Sequence, residues 1–214
     1  MEMIRNMTTD FCRLYFVRRC CWTILFALCS LTICAQTAKE VLDKTAAVIT
    51  AKNGARASFS IKGERMNTNG TIAVKGRKFH VTTPQAVVWF DGKTQWTYLK
   101  QNDEVNVATP TEAELQAINP YNFIYLYKQG YTYTMTKKSS NYEVHLTAKD
   151  KKRSVQEMYI IISQKSYIPS QIRMKTAQGW NTIEVSNFKQ ASLPDGTFRF
   201  NAKDFPHAEV IDLR

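Results

Sequence analysis

Beyond residue 34 the chain has no cysteine. All five, Cys12, Cys20, Cys21, Cys29 and Cys34, fall in the opening segment. Nothing downstream can form a disulfide, bind metal through a thiolate or act as a thiol nucleophile. Histidine is almost as scarce: His80, His145 and His207 are isolated, so no HxH or HxxxH pair offers a metal site. A GxSxG motif is missing. The one SxxK match, Ser186 to Lys189, lies in an alternating strand pattern rather than at a helix start. Asp103 and Glu104 are adjacent at a turn, so their side chains diverge. The expectation is a protein that is not an enzyme, with no catalytic residue, no cofactor and no metal.

Long apolar runs are missing too, with one exception at the start. Arg5, Arg13, Arg18 and Arg19 precede or flank a charge-free stretch over 20–35. A membrane span needs about 20 apolar residues, so the stretch suits a signal-peptide core better. Cleavage after Ala35, at the imperfect small-residue site Ile33-Cys34-Ala35, separates a signal peptide (1–35) from one domain (36–214). A lipobox needs a small residue before its Cys, but Cys34 follows Ile33 and Cys29 follows Leu28. Cleavage is therefore favoured over lipidation, and over a retained anchor. The exported domain reaches an oxidising compartment with no thiol to mispair.

Acidic residues are in the minority, 18 against 29 basic. Removing the first 35 residues leaves 25 basic and 16 acidic, a net charge of +9. Export and the scattering of the basic residues argue against nucleic acid. The densest run, Lys149 to Arg153, reads as a solvated turn. Anionic lipid headgroups and an acidic protein remain as partners for the charge.

The exported part opens with a helix over 38–52. Val41, Leu42, Thr45, Val48 and Ile49 form its apolar stripe, and Gly54 suits a stop. From residue 55 the period becomes 2. Phe59 and Ile61 share one face of a strand, Ile72 and Val74 one face of the next, and Phe79 and Val81 one face of a third. After Pro84 come Val87-Val88-Trp89-Phe90, the Asp91-Gly92 hairpin signal, and Trp96 and Tyr98 on one face. Residues 110–130 interrupt the strands. Pro110 and Thr111 precede a helix start with acidic residues in its first turn, and Phe123, Ile124 and Tyr127 share a face of a second short helix. Strands then resume at 131–137, 141–147, 155–163, 168–176, 180–190 and 197–200. This is a mainly β chain, one large antiparallel sheet that curls toward a barrel or half-barrel. The excess of aromatics, 11 Phe, 10 Tyr and 4 Trp, fits an ordinary β core or an open apolar cavity. Either face of a sheet can be the packed one. The short helices need a concave face to cover, which favours the cavity.

Gly70-Thr-Ile-Ala-Val-Lys75, then Phe79, Pro84 and Phe90-Asp91-Gly92-Lys93-Thr94-Gln95-Trp96-Thr97-Tyr98, resembles the core signature of the periplasmic outer-membrane lipoprotein carrier family, LolA-type. The first helix followed by Ala57-Ser58-Phe59 is similar to that family's start. Phe198-Arg199-Phe200 through Val210-Ile211-Asp212-Leu213-Arg214 resembles its ending. The resemblance implies an unclosed β-barrel with an N-terminal helix and short lid helices over an apolar cavity. The cavity is expected to be lined by Phe59, Ile61, Ile72, Val74, Phe79, Val81, Val88, Trp96 and Tyr98. The lid is expected at Arg77, Phe123, Ile124 and Tyr127. Gly76-Arg77 stands where the family commonly carries Arg-Pro, so either Arg77 serves from a shifted position or the closing latch differs.

The implied role is a monomeric periplasmic carrier. It takes acylated lipoproteins from an inner-membrane lipoprotein-releasing transporter and passes them toward an outer-membrane acceptor. The competing reading is a periplasmic lipid-binding or protein-binding module, a sensor or inhibitor without transfer. A sensor of that kind is expected to carry a second domain, and lipid bound to the purified protein separates a carrier from a protein-binding module.

Overall fold

The computed structural model describes residues 37–64, 67–111, 114–115 and 126–214. The expected signal peptide with its cleavage point, and Phe123 and Ile124, lie outside the described residues. The first helix among the described residues, α1 (Ala38–Ile49), begins at a capping box. Thr37 Oγ1 accepts from the Glu40 N–H at 3.2 Å, and the Glu40 carboxylate accepts from the Thr37 N–H at 3.3 Å. The helix ends three residues before its expected limit. At Thr50 the side-chain hydroxyl donates to the Ala46 carbonyl at 2.7 Å, a local bond that competes with further winding. Gly54 starts the sheet instead of stopping the helix. Its φ is +103°, and a Cβ there would lie 2.7 Å from Leu193 Cδ1.

Twelve strands follow: β1 (Ala55–Gly63), β2 (Asn67–Lys75), β3 (Lys78–Thr82), β4 (Ala86–Phe90), β5 (Gln95–Leu99), β6 (Glu104–Ala108), β7 (Tyr131–Lys138), β8 (Asn141–Ala148), β9 (Glu157–Ser163), β10 (Pro169–Thr176), β11 (Gly179–Gln190) and β12 (Glu209–Asp212). They form one sheet in the order β12-β6-β5-β4-β3-β2-β1-β11-β10-β9-β8-β7, not closed into a barrel. Two antiparallel meanders meet where β1 pairs with β11, Phe59 opposite Val185 and Ile61 opposite Ile183. Every pairing is antiparallel except that of β12 with β6.

The strand expected at 197–200 is absent. Pro194-Asp195-Gly196 favours a tight turn there, and Asp195–Phe198 is a 3-10 turn. A second such turn, Ala202–Asp204, precedes β12. The segment from Leu193 onward packs on the sheet face away from α1. Phe198 and Leu193 bury Ala73, while Phe200 and Phe205 close on Trp89 with ring centroids 5.6 and 5.5 Å away. Arg199 Nε donates to Asp91 Oδ2 at 3.2 Å. The Asp91-Gly92 hairpin and the Phe198-Arg199-Phe200 ending are thus joined in space, 108 residues apart in sequence.

The sheet face toward α1 carries a continuous core. Val41, Leu42 and Ile49 of the helix pack with Phe59, Ile72, Val74, Phe79, Val81 and Phe90 of the first meander. They also pack with Val144, Leu146, Met158, Ile160, Ile162, Ile172 and Ile183 of the second. Both halves of the sheet therefore contribute to one apolar surface beneath one helix.

Candidate functional site: the helix-covered sheet face

Strand register decides which candidates share a face. Val74 lies opposite Phe79 and Ile72 opposite Val81; Phe79 then faces Phe90, and Val81 faces Val88. Ala57 opposite Ile72 puts Phe59 and Ile61 on that same face. The structure thus brings together Phe59, Ile61, Ile72, Val74, Phe79, Val81 and Val88. Five of them are buried beneath α1 rather than open, and Ile61 and Val88 are half-buried.

Trp96 and Tyr98 are the exceptions. Trp96 pairs with Trp89 and Tyr98 with Val87, on the opposite face, where Tyr98 meets Phe205 at 4.6 Å between centroids. The expectation that they line the cavity is corrected by register. The polarity of the sheet inverts at β5. From there the apolar residues, Trp96, Tyr98, Val105 and Val107, point away from α1, and the C-terminal segment covers that side. The α1 side becomes mixed instead: Gln95, Thr97, Glu104 and Asn106, together with Leu99 and Ala108, continue the face of Phe90 and Val88. Gln95 Nε2 donates to Thr97 Oγ1 at 3.1 Å and Asn106 Nδ2 to Glu104 Oε1 at 2.8 Å. Gln95 is 9% exposed, and its Oε1 has no hydrogen-bond partner among the described residues.

Of the lid candidates, Tyr127 is described and buried. Its hydroxyl donates to Asp43 Oδ1 of α1 at 2.5 Å. Asp43 also accepts from Lys39 at 2.6 Å. The bond from Lys39, then that from Tyr127, holds the Asp43 carboxyl below the usual aspartate range. Burial and the Asp43 bond push the Tyr127 phenol up, so it remains a donor at neutral pH. On the other side of α1, Lys44 Nζ lies 3.4 Å from the Tyr167 hydroxyl and 5.0 Å above its ring. Two tethers hold the helix to the body. Thr111 and Glu114 form a second capping box, as expected of a helix start. Arg77 is exposed in the Gly76-Arg77 turn between β2 and β3.

Sequence reasoning missed the mixed strip and the Asp43–Tyr127 contact. The strip had a usable signal: a loop closed by the Asp91 N–H on the Thr94 carbonyl puts Gln95 opposite Phe90. The contact had none, being 84 residues apart. Among the described residues no group of three or more His, Cys, Asp or Glu side chains is placed to hold a metal.

An open antiparallel sheet with one apolar face shielded by a helix defines a class of single-sheet, helix-covered β proteins. Within it, the chain belongs to the family described as outer membrane lipoprotein carrier protein LolA, whose sequence profile matches residues 28–178. An uncharacterized conserved protein from Thermus thermophilus shares the fold at 13% identity, with a TM-score of 0.57 over 83% of this chain and 99% of that one. The LolA superfamily protein NE2245 from Nitrosomonas europaea matches at 14% identity, 78% and 99% coverage and a TM-score of 0.44. The MucA/MucB complex of Pseudomonas aeruginosa matches at 11% identity, 78% and 62% coverage and a TM-score of 0.43. No curated protein matches by sequence.

Proposed function

We propose that this protein is a periplasmic, non-enzymatic carrier, released by cleavage after Ala35, that binds the acyl chains of lipoproteins. It takes them from an inner-membrane lipoprotein-releasing transporter and passes them, as a monomer, toward an outer-membrane acceptor. The observation that supports this most is the continuous apolar face beneath α1 in a chain of the LolA family. The acyl chains would lie against Phe59, Ile61, Ile72, Val74, Phe79, Val81 and Val88, in place of the helix.

Magnitudes favour that exchange. Transfer of a lipid chain gains about 0.8 kcal/mol per methylene, so about 15 methylenes gain roughly 12 kcal/mol. The helix covers the face with Val41, Leu42 and Ile49 as its large buried side chains. At about 1.5–3 kcal/mol each, they contribute roughly 5–9 kcal/mol. Relative to water, one long acyl chain therefore outweighs the apolar contacts it displaces; relative to a bilayer, where its methylenes are already buried, the displaced helix contacts are a cost that favours giving the chain up to an acceptor membrane.

The test is lipoprotein release from inner-membrane vesicles, with identification of lipid bound to the natively purified protein. Soluble lipoprotein–carrier complex is the expected result. A lipid-free protein that solubilises no lipoprotein leaves the alternative, a protein-binding module without transfer.

A further inference from the structure

The densest basic run, Lys149 to Arg153, is the turn between β8 and β9. Folding brings more positive charge beside it. The Gln156 side chain donates to the Lys151 carbonyl at 2.8 Å, and the Gln156 N–H donates to the Lys175 carbonyl at 2.8 Å. The turn therefore lies against the end of β10. Lys175 is opposite Trp180, and Arg173 is opposite Tyr159 and Thr182, on the sheet face away from α1. Arg173 and Lys175 both lie against the half-buried Trp180 ring, 5.1 and 5.9 Å from its centroid. One end of the second meander thus gathers Lys149, Lys151, Lys152, Arg173 and Lys175, all exposed, around one indole.

The carboxylates at this end leave the balance positive. Asp150 is used inside the turn, accepting from the Lys152 N–H at 2.8 Å. Glu157 lies between Lys175 and His145, at 3.5 and 3.6 Å, and Glu64 stands against Gly179. Among the described residues Lys149, Lys151, Lys152 and Arg173 pair with no carboxylate. Fixed carboxylates on a protein partner are best matched by the arginine fork. Here Arg153 is folded over the Tyr131 ring at 5.2 Å and Arg173 is held against Trp180, so the cations projecting from the turn are lysines. Lysines are point charges on flexible stems and suit a diffuse negative field. An indole among them, apolar in its ring and polar at its N–H, suits the headgroup depth of a bilayer.

We propose that this end of the second meander docks the protein on an anionic bilayer surface. Lys149, Lys151, Lys152, Arg173 and Lys175 face the lipid phosphates, and Trp180 sits at headgroup level. The docking surface goes beyond the carrier reading and does not depend on it.

The experiment is co-sedimentation of the natively purified protein with phosphatidylcholine vesicles, with and without phosphatidylglycerol. Binding should require phosphatidylglycerol and weaken as salt is raised. Tryptophan emission should move to shorter wavelength on binding, and Trp180→Phe should remove that shift. Each lysine near an anionic surface contributes about fivefold in affinity. Lys149→Gln, Lys151→Gln and Lys152→Gln together should therefore lower affinity about a hundredfold. The unfolding midpoint should not change, because these side chains are exposed and unpaired. The same change at Lys52, Lys93 and Lys203, exposed on other parts of the surface, should leave affinity within about fivefold of the wild type.

Equal losses in the two triple variants would reduce the effect to net charge and overturn the proposal. So would equal binding to phosphatidylcholine alone, or no binding to either vesicle. Binding of soluble polyglutamate by a protein that ignores both vesicles would assign this end to an acidic protein instead.

Discussion

Replacing Tyr127 by Phe deletes one hydroxyl from a buried ring and leaves its packing in place. What is lost is the hydrogen bond to Asp43, the tether between α1 and the chain entering β7. A hydrogen bond to a charged partner contributes about 1.5–3 kcal/mol. Asp43 is 43% exposed, so solvent screening reduces this to about 1 kcal/mol. Urea unfolding should show that loss as a lower midpoint with an unchanged slope.

If cargo must displace α1, the same variant should bind acyl chains more tightly, because less work is needed to free the helix. A change of about 1 kcal/mol corresponds to about fivefold in affinity. The pH dependence follows from Asp43. Its folded-state carboxyl is held below the ordinary value of 3.8, by Lys39 first and Tyr127 second. The unfolded chain then binds more protons, so the contribution is complete above about pH 4 and lost as pH falls through the folded value. Wild type and Tyr127→Phe should therefore approach each other in acid, and Asp43→Ala, which leaves the Tyr127 hydroxyl no acceptor on α1, should remove the difference at every pH. Unchanged stability at neutral pH would mean the tether carries no weight. Reduced stability with unchanged acyl affinity would refute displacement of the helix.

Other outcomes follow from single sites. Thr45 is fully buried and its hydroxyl has no partner among the described residues, so Thr45→Val should raise stability by about 1 kcal/mol in thermal unfolding; a loss would mean the hydroxyl is satisfied. Phe198→Ala should cost about 3–5 kcal/mol in chemical unfolding, because Phe198 is completely buried under the C-terminal segment; a cost below about 1 kcal/mol would show that cover to be dispensable. Arg77→Leu should slow cargo transfer without changing the unfolding midpoint if the family-type latch operates here, whereas unaltered transfer would leave the control of α1 to Tyr127 and Asp43. Intact mass of the native protein should match a chain beginning at Gln36, and added acyl mass on Cys34 would make it membrane-anchored.

The period-2 alternation that gives the strands was readable because each strand buries one face: Phe59, Ile72, Val74, Phe79 and Val81 are all buried beneath α1. Alternation alone is blind to which face that is. Trp96 and Tyr98 alternate as cleanly as Ile72 and Val74, yet a second apolar cover, the segment containing Phe198, Phe200 and Phe205, buries the other side there. Long-range covers of this kind leave no local periodicity. The same holds for Tyr127 and Asp43, whose meeting depends on the path of the whole second meander. The C-terminal strand was misplaced for a related reason. Phe198-Arg199-Phe200 alternates like a strand, but Pro194-Asp195-Gly196 turns the backbone, and the pairing partner, β6, is available only to Glu209–Asp212.

The outer strands β7 and β12 never pair, so no hydrogen-bonded seam fixes the circumference of the sheet. A closed barrel has a bore set by strand number and shear. An open sheet can instead widen or tighten its curvature through small changes of twist spread over eleven strand pairings, with every ladder bond intact. On the carrier reading, such a sheet can accept one acyl chain or several without an energetic step for each. Its signature is kinetic: loading should leave amide exchange in the ladder nearly unchanged while accelerating it in α1, the element that cargo displaces on that reading.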